Sequence, residues 1–428
     1  MVDSHCMPAD FLDADKDADS LSKDEKLLRR ALELARRGVG LASPNPCVGA
    51  VIADALGNVV GTGTYTYDGV KHAEVLALEA AGSRARGATL YINLEPHAHL
   101  GRTPPCTDAL IAAGIRRVVA SMGDPNPKVS GLGFEKLRAA GVQVEVGRLE
   151  EPARRLNEGF ARYIRHGMPL VTLKSAMTLD GKIAPPPEAV NRLEFPNRIG
   201  AASGRPAGGF SGSWITGEAA RAHVQELRHQ NDALLVGVGT ILADDPLLTD
   251  RSGQARRRHL LRVILDSHLR LPLESRLVQS AAAERRNDVL VFCALKGEAK
   301  ISETTISEKK NSEKKRQLEQ LGIRVEMVAA HSDGRPDLLA VLRRLGELEI
   351  ASLMIEGGST VNGSALASNL VDKVFLYYAP KILGGGSIPF AAAVGFHAIS
   401  PAQVKQVHLH RFGEDFAVEG YLRDPYGE

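Results

Sequence analysis

Strand-like and helix-like runs alternate through most of this chain, which predicts an α/β protein. Its 428 residues are enough for two ordinary cores. A helix-like bridge over Glu150–Arg165 separates two such alternating regions. The expected organisation is a disordered tail over 1–21, a first domain over 22–148, a linker helix over 149–168 and a second domain over 169–428.

In the first region, Ser22 with Glu25 forms a capping-box pattern. Leu27, Leu28, Ala31, Leu34 and Ala35 give the helical period behind it, and Gly38 stops the helix. Strand-like runs follow at Val48–Ala53, Val59–Thr64, Thr89–Leu94, Arg117–Met122 and Val142–Val146. Helix patterns at His72–Ala81, Thr107–Ala113 and Leu132–Ala140 lie between them, so this domain should have three layers. In the second region strands are expected at Leu170–Lys174, Ala233–Val238, Arg262–Asp266, Val289–Cys293, Arg324–Val328, Ser352–Ile355 and Val374–Tyr378. Pro185–Gly212 reads as a long Pro- and Gly-rich surface loop, and the Lys- and Glu-rich Glu298–Gln320 as a solvated loop and helix face.

Composition narrows the function. Hydrophobic content of 44% and charged content of 24% fit a soluble globular protein. A formal net charge of +2 is too small to argue for nucleic acid as a partner. The four cysteines, at 6, 47, 106 and 293, are too scattered for a disulfide framework and suit a reducing compartment. No apolar run approaches the roughly 18 residues that span a bilayer. The first 20 residues are acidic and lack the apolar stretch of a signal peptide. A cytoplasmic protein with no membrane partner is expected, and open α/β domains of this kind suggest a homo-oligomer.

One constellation carries chemistry in the first region. His72-Ala73-Glu74 opens a helix pattern, and Pro96-His97 and then Pro105-Cys106 follow a strand-like run. An imidazole at a helix start can bind Zn²⁺ while the carboxylate two residues on faces an open coordination position. Cys106 opens the next helix, where the macrodipole favours a thiolate. Nucleobase zinc deaminases use such a set, a His and two thiolates on the metal with a Glu that shuttles protons. Around it lie Ser43-Pro44-Asn45-Pro46, Val48-Gly49, Gly61-Thr62-Gly63, Leu94-Glu95-Pro96, Gly101-Arg102-Thr103-Pro104-Pro105-Cys106 and Asp124-Pro125-Asn126-Pro127. With these, residues 22–148 resemble the deaminase half of the bacterial bifunctional riboflavin-biosynthesis enzymes, a cytidine-deaminase-like fold.

That resemblance makes His72, His97 and Cys106 ligands of one Zn²⁺ per chain and Glu74 the proton shuttle. It also departs from the family twice: His97 stands where the family has Cys, and Tyr65 where it tends to have His. His99 is expected on substrate rather than metal. Asn45 is either a plain turn residue or an amide that pairs with the pyrimidine edge. Cys47 is read as packing.

In the second region the carrying residues are Lys174-Ser175-Ala176-Met177-Thr178-Leu179-Asp180-Gly181, Trp214-Ile215-Thr216 and Gly237-Val238-Gly239-Thr240. Ala243-Asp244-Asp245-Pro246-Leu247-Leu248-Thr249, Glu356-Gly357-Gly358-Ser359 and Pro380-Lys381-Ile382-Leu383-Gly384-Gly385 complete them. Ser352–Ile355 is a buried-strand pattern running into two glycines and a helix start, a natural anion site. No Rossmann fingerprint is present. Most of residues 169–425 resemble the reductase half of the same enzymes, a dihydrofolate-reductase-like α/β domain.

The resemblance places Ala176, Trp214, Thr240, Asp244 and the run Gly358, Ser359, Thr360, Val361, Asn362, Gly363 and Ser364 near NADPH. Arg228, Leu248, Arg251 and Glu356 would face the substrate, with the two arginines on its ribosyl phosphate. Asp244 would handle the proton that accompanies hydride transfer, against a rival reading as a turn-forming Asp before Pro246. Gly212 occupies a slot where the family has Ser, with Ser211 or Ser213 as substitutes. The implied activity is zinc-dependent deamination of a pyrimidine ribosyl-phosphate followed by NADPH-dependent reduction. The Cys-to-His change leaves a second reading open, a reductase with a degenerate deaminase-like domain, and a third, a non-catalytic nucleotide binder.

Overall fold

The computed structural model describes residues 21–101, 103–186, 214–294, 306–392 and 401–427. The expected tail up to residue 20, all but the first two residues of the Pro185–Gly212 loop, the Gly212 slot with Ser211 and Ser213, and the start of the Lys- and Glu-rich stretch lie outside these residues. The chain forms two compact units, the first running to His166 and taking in Ala255–Arg257, the second made of Gly167–Gln254 and Arg258–Gly427.

In the first unit, α1 (Lys23–Arg36) starts at a complete capping box. Ser22 Oγ accepts from the Glu25 N–H, and Glu25 Oε2 accepts from the Ser22 N–H at 3.1 Å. Five strands follow: β1 (Gly49–Ala53), β2 (Val59–Thr64), β3 (Thr89–Ile92), β4 (Arg117–Ala120) and β5 (Gln143–Val146). They order as β2-β1-β3-β4-β5, antiparallel around β1 and parallel from β3 to β5. Between them run α2 (Ala73–Ala81), α3 (Cys106–Ala112) and α4 (Leu132–Ala139).

The period of two along β1 explains the three layers. Val51 and Ala53 pack with Leu27, Leu28, Ala31 and Leu34 of α1. Ala50 and Ile52 sit opposite Gly63 and Gly61 of β2, on the other face. There a Cβ on Gly61 would lie 2.1 Å from the Ala77 carbonyl, and one on Gly63 2.1 Å from the Ala73 carbonyl. The Gly-Thr-Gly motif is therefore a bed on which the α2 backbone rests directly on the sheet.

Residues 149–168, expected as one linker helix, form α5 (Glu150–Leu156) and α6 (Glu158–His166), and both cluster with the first unit. The break at Asn157 has a cause: its side chain is buried, accepting from the Cys47 N–H at 2.8 Å and donating to the Cys47 carbonyl at 3.3 Å. The helices thus brace the loop that carries Asn45.

The second unit is a nine-stranded sheet. Its strands are β6 (Leu170–Thr178), β8 (Ala233–Gly237), β9 (Leu261–Leu265), β10 (Val289–Ala294), β11 (Arg324–Val328), β12 (Ser352–Ile355), β13 (Lys373–Ala379), β15 (Lys405–Phe412) and β16 (Asp415–Tyr421). A short ladder joins β7 (Lys182–Ala184) to β14 (Ile388–Pro389). The helices are α7 (Glu218–Gln230), α8 (Val238–Asp244), α9 (Arg276–Glu284), α10 (Ile306–Gln320), α11 (Leu338–Glu347) and α12 (Ser359–Ala367). The order is β11-β10-β9-β8-β12-β6-β13-β16-β15, parallel as far as β13 and antiparallel beyond it. Alternate residues feed two cores, Leu234 and Val236 into one, Ala233 and Leu235 into the other.

Two differences from expectation matter. β6 does not stop at Lys174 but pairs with β13 as far as Thr178. The hairpin of β15 and β16 was not expected, because β15 is exposed along most of its length and shows no buried alternation.

Candidate active sites

His72 is the N-cap of α2, so its ring hangs at the helix start, and Glu74 is buried one position into the first turn. The strand β3 runs into Asn93–Pro96, which delivers His97, and Pro105 caps α3 so that Cys106 is its first residue. Three separate elements thereby bring His72, His97 and Cys106 together, with one ligand atom of each within 4.8 Å of the others. Cys106 Sγ lies 3.4 Å from His72 Nδ1, and the two imidazole centroids are 4.4 Å apart.

Both ring nitrogens of His97 are buried and neither makes a hydrogen bond. Buried polar atoms without partners are costly unless something else satisfies them. Two imidazoles and a cysteine sulfur, deprotonated on binding, are a donor set that zinc accepts. These residues fit the ion, His97 included. Burial, then His72 and His99, holds the His97 imidazole neutral, with a pKa down at about 4. Burial raises Glu74 to about 7, and its carboxyl lies beside the Cys106 thiol, which burial also pushes upward.

Around this centre the structure gathers the other expected residues of the first unit. Asn45 Nδ2 donates to the Tyr65 hydroxyl at 2.7 Å, and the Tyr65 ring meets His72 edge-on at 5.4 Å. The Asn45 side chain is thus held by Tyr65 beside His72. His99 is exposed, 5.4 Å from the His97 ring, and is not in the three-residue cluster. Cys47 is also outside that cluster.

Sequence reasoning assigned no role to Glu95, Asn93 or Thr103. Glu95 is a buried carboxylate that accepts from the N–H groups of Asp124, Gly131, Gly133 and Phe134 at 2.8–3.3 Å. It pins the Asp-Pro-Asn-Pro loop beside the strand end that leads to His97. Asn93 accepts from the Gly49 N–H and donates to the Cys47 carbonyl, both at 2.9 Å. A polar residue ending an apolar strand run was the available signal for both.

In the second unit Glu356 ends β12 and meets two cations. Arg228 Nε and Nη2 donate to its carboxylate at 2.8 and 3.0 Å, and Lys174 Nζ from β6 lies 3.7 Å away. Burial would raise the Glu356 pKa, but Arg228 and Lys174 overcome it and hold it at about 2. Arg228 Nη1 donates to the Thr249 carbonyl at 2.9 Å. Each of its three guanidinium nitrogens makes a bond within the protein, so Arg228, expected on the substrate phosphate, also serves as the counter-ion of Glu356 and keeps one N–H on each Nη. Arg251 is exposed, with its N–H donating to Gln225 Oε1. Lys174 was missed as a site residue, although a lysine inside an apolar strand run signals a buried pair.

The Asp-Asp pair divides its roles. Asp245 has a left-handed backbone, caps α8 and accepts from the Arg276 N–H at 2.8 Å, so the turn belongs to it. Asp244, the last residue of α8, is exposed. Leu248 is buried and also left-handed, and Thr240 lies on α8. Ala176 is half-buried on β6.

At the start of α12, a Cβ on Gly358 would meet open space, and Ser359 Oγ is buried without a hydrogen-bond partner. Thr360 is exposed and Val361 and Ser364 half-buried. Asn362 and Gly363 point the other way: Asn362 Nδ2 donates to the Phe390 carbonyl, and a Cβ on Gly363 would lie 1.8 Å from the Ala392 carbonyl. They seat the helix and do not line its open end. Trp214 is 61% exposed beneath the Arg221 guanidinium, and Lys381 Nζ donates to the carbonyls of Trp214 and Ile215.

Residues 21–122 match the cytidine and deoxycytidylate deaminase zinc-binding region, and residues 204–418 match the RibD C-terminal domain. The riboflavin biosynthesis protein RibD of Aquifex aeolicus (strain VF5) is 38% identical over 397 residues, 92% of this chain and 97% of that protein. RibD of Actinobacillus pleuropneumoniae is 41% identical over 405 residues, 94% and 96% of the two chains. Among solved structures, Acinetobacter baumannii RibD has a TM-score of 0.72 at 32% identity, covering 93% of this chain and 98% of its own. A diaminohydroxyphosphoribosylaminopyrimidine deaminase/5-amino-6-(5-phosphoribosylamino)uracil reductase from Thermotoga maritima has a TM-score of 0.70 at 35% identity, with the same coverage. The expected zinc-binding deaminase half and nicotinamide-dependent reductase half are both borne out, and nothing favours a reductase alone. No helix among the described residues is long and apolar enough to cross a membrane. Matched in both halves and over more than nine-tenths of its length, the chain belongs to the RibD family of bifunctional deaminase and reductase enzymes of riboflavin biosynthesis.

Proposed function

We propose that the first unit deaminates 2,5-diamino-6-ribosylamino-4(3H)-pyrimidinone 5′-phosphate. The second then reduces 5-amino-6-(5-phosphoribosylamino)uracil to its ribityl form with NADPH. The carrying observation is the convergence of His72, His97 and Cys106 with Glu74 buried beside them. His72, His97 and Cys106 would hold a zinc ion, which would make a bound water far easier to ionise than bulk water. Deamination breaks the bond from a ring carbon to its exocyclic amino nitrogen, forms a C–O bond there from water, and releases ammonia. Glu74 carries the protons, taking one from the water and returning it to the leaving amine. Asn45, held by Tyr65, and His99 orient the pyrimidine.

In the second unit, Gly358–Val361 and Ser364 with Ala176, Thr240 and Trp214 hold the cofactor. The reduction adds a hydride at C1′ of the ribosyl unit and a proton at the oxygen released there, with Asp244 as the proton carrier. Arg251 takes the phosphate, and Glu356, fixed by Arg228 and Lys174, faces the sugar and base with Leu248. Cytoplasmic location and homo-oligomeric assembly belong to the same proposal, and sedimentation of the purified chain tests the assembly.

Two substitutions test the assignments. Glu74→Gln should abolish ammonia release while about one zinc per chain stays bound. Asp244→Asn should slow NADPH oxidation on the deaminated substrate by about 10²-fold or more, the scale of a positioned proton carrier. Ammonia release at the normal rate from Glu74→Gln would remove Glu74 from the chemistry.

A further inference from the structure

We infer that Thr103 is a positioning residue of the metal centre, supporting the orientation and imidazole tautomer of His72 that ligate. This rests on the zinc reading above. The two ring nitrogens of His72 face different partners. Nδ1 lies 3.4 Å from Cys106 Sγ, on the side of the donor cluster, and Nε2 lies 3.3 Å from Thr103 Oγ1.

A neutral imidazole carries one N–H, and the nitrogen bearing it cannot bind a metal. With Nδ1 on the metal the single N–H stands on Nε2, where the Thr103 hydroxyl, able to accept as well as donate, is placed to accept from it. Metal-ligating histidines are commonly fixed in this way through their second nitrogen. Glu74, the nearest carboxyl in the first turn of α2, lies beside Cys106, so the hydroxyl of Thr103 is the partner that the structure gives Nε2.

The replacement of a thiolate by His97 makes this control matter more. A Cys ligand has one sulfur and no tautomers, whereas two imidazoles each have two. Neither nitrogen of His97 makes a side-chain hydrogen bond. Pro104 directly follows Thr103 and disfavours the helical region for it, which limits the directions its side chain can take.

The test is zinc affinity of the full chain, measured by competition with a chromophoric chelator. Thr103→Val keeps the shape and removes the hydroxyl, and should weaken binding about 10- to 100-fold, the usual range for losing such a partner. Thr103→Ser restores the hydroxyl and should bind close to wild type. The zinc-free forms of all three proteins should melt together, which separates tautomer control from damage to the loop. Wild-type affinity in Thr103→Val would overturn the inference, as would Thr103→Ser binding as weakly as Thr103→Val. A wild-type chain that binds no zinc would overturn the metal reading itself.

Discussion

His97 is where this chain's chemistry departs furthest from the zinc deaminases it resembles. A neutral imidazole in place of a thiolate leaves the bound ion with one less compensating negative charge. His97→Ala should lose zinc and ammonia release together. His97→Cys should keep zinc and deaminate as fast as wild type or faster, as metal analysis and rate measurements on the two variants will show. In the other unit the decisive residue is Glu356, whose pKa is held at about 2 against an ordinary 4.5. A carboxyl held below its unfolded value stabilises the fold above that value and loses the effect as pH falls toward the folded one. The stability difference between wild type and Glu356→Gln should thus be full at neutral pH, shrink below about 4.5 and vanish near 2. A difference that stays constant from neutral pH down to about 3 would mean that Arg228 and Lys174 do not hold the charge.

Elements, as well as single residues, set the geometry of the zinc site. α2 carries His72 and Glu74, and its backbone lies so close to β2 that Gly61 and Gly63 cannot bear a Cβ without moving it. Gly63→Ala would place a methyl 2.1 Å from the Ala73 carbonyl, at the very turn that presents Glu74. Overpacking of this kind costs about 1–3 kcal/mol. Deamination should fall, and zinc should bind more weakly, while the reductase rate of the same preparation stays near wild type. Equal loss of both activities would point to general unfolding instead.

The whole molecule joins two separately cored units with separate chemistries. A metal chelator should therefore stop ammonia release and leave NADPH oxidation on the deaminated substrate intact, and added zinc should restore the first activity. Loss of both on chelation would show that the reductase unit depends on the zinc unit.

Much of this is written locally in the chain. The Ser22–Glu25 capping box, the His-x-Glu at a helix start, the Cys106 at another and the period-two runs of the strands are each a matter of neighbours in sequence. Short-range sterics and hydrogen bonding decide them, so chain order was enough. The partners of Arg228 and Lys174 were not legible that way. Arg228 meets Glu356 across 128 positions because β12 lies between β8 and β6 in the sheet, and a charge next to a buried carboxylate pairs with it before any ligand arrives. The same holds for Asp245 taking the turn from Asp244, for Asn362 and Gly363 facing into the protein, and for Thr103 reaching His72 across 31 positions. Which atoms neighbour a side chain is set by how distant segments pack, and residue type alone does not determine that contact.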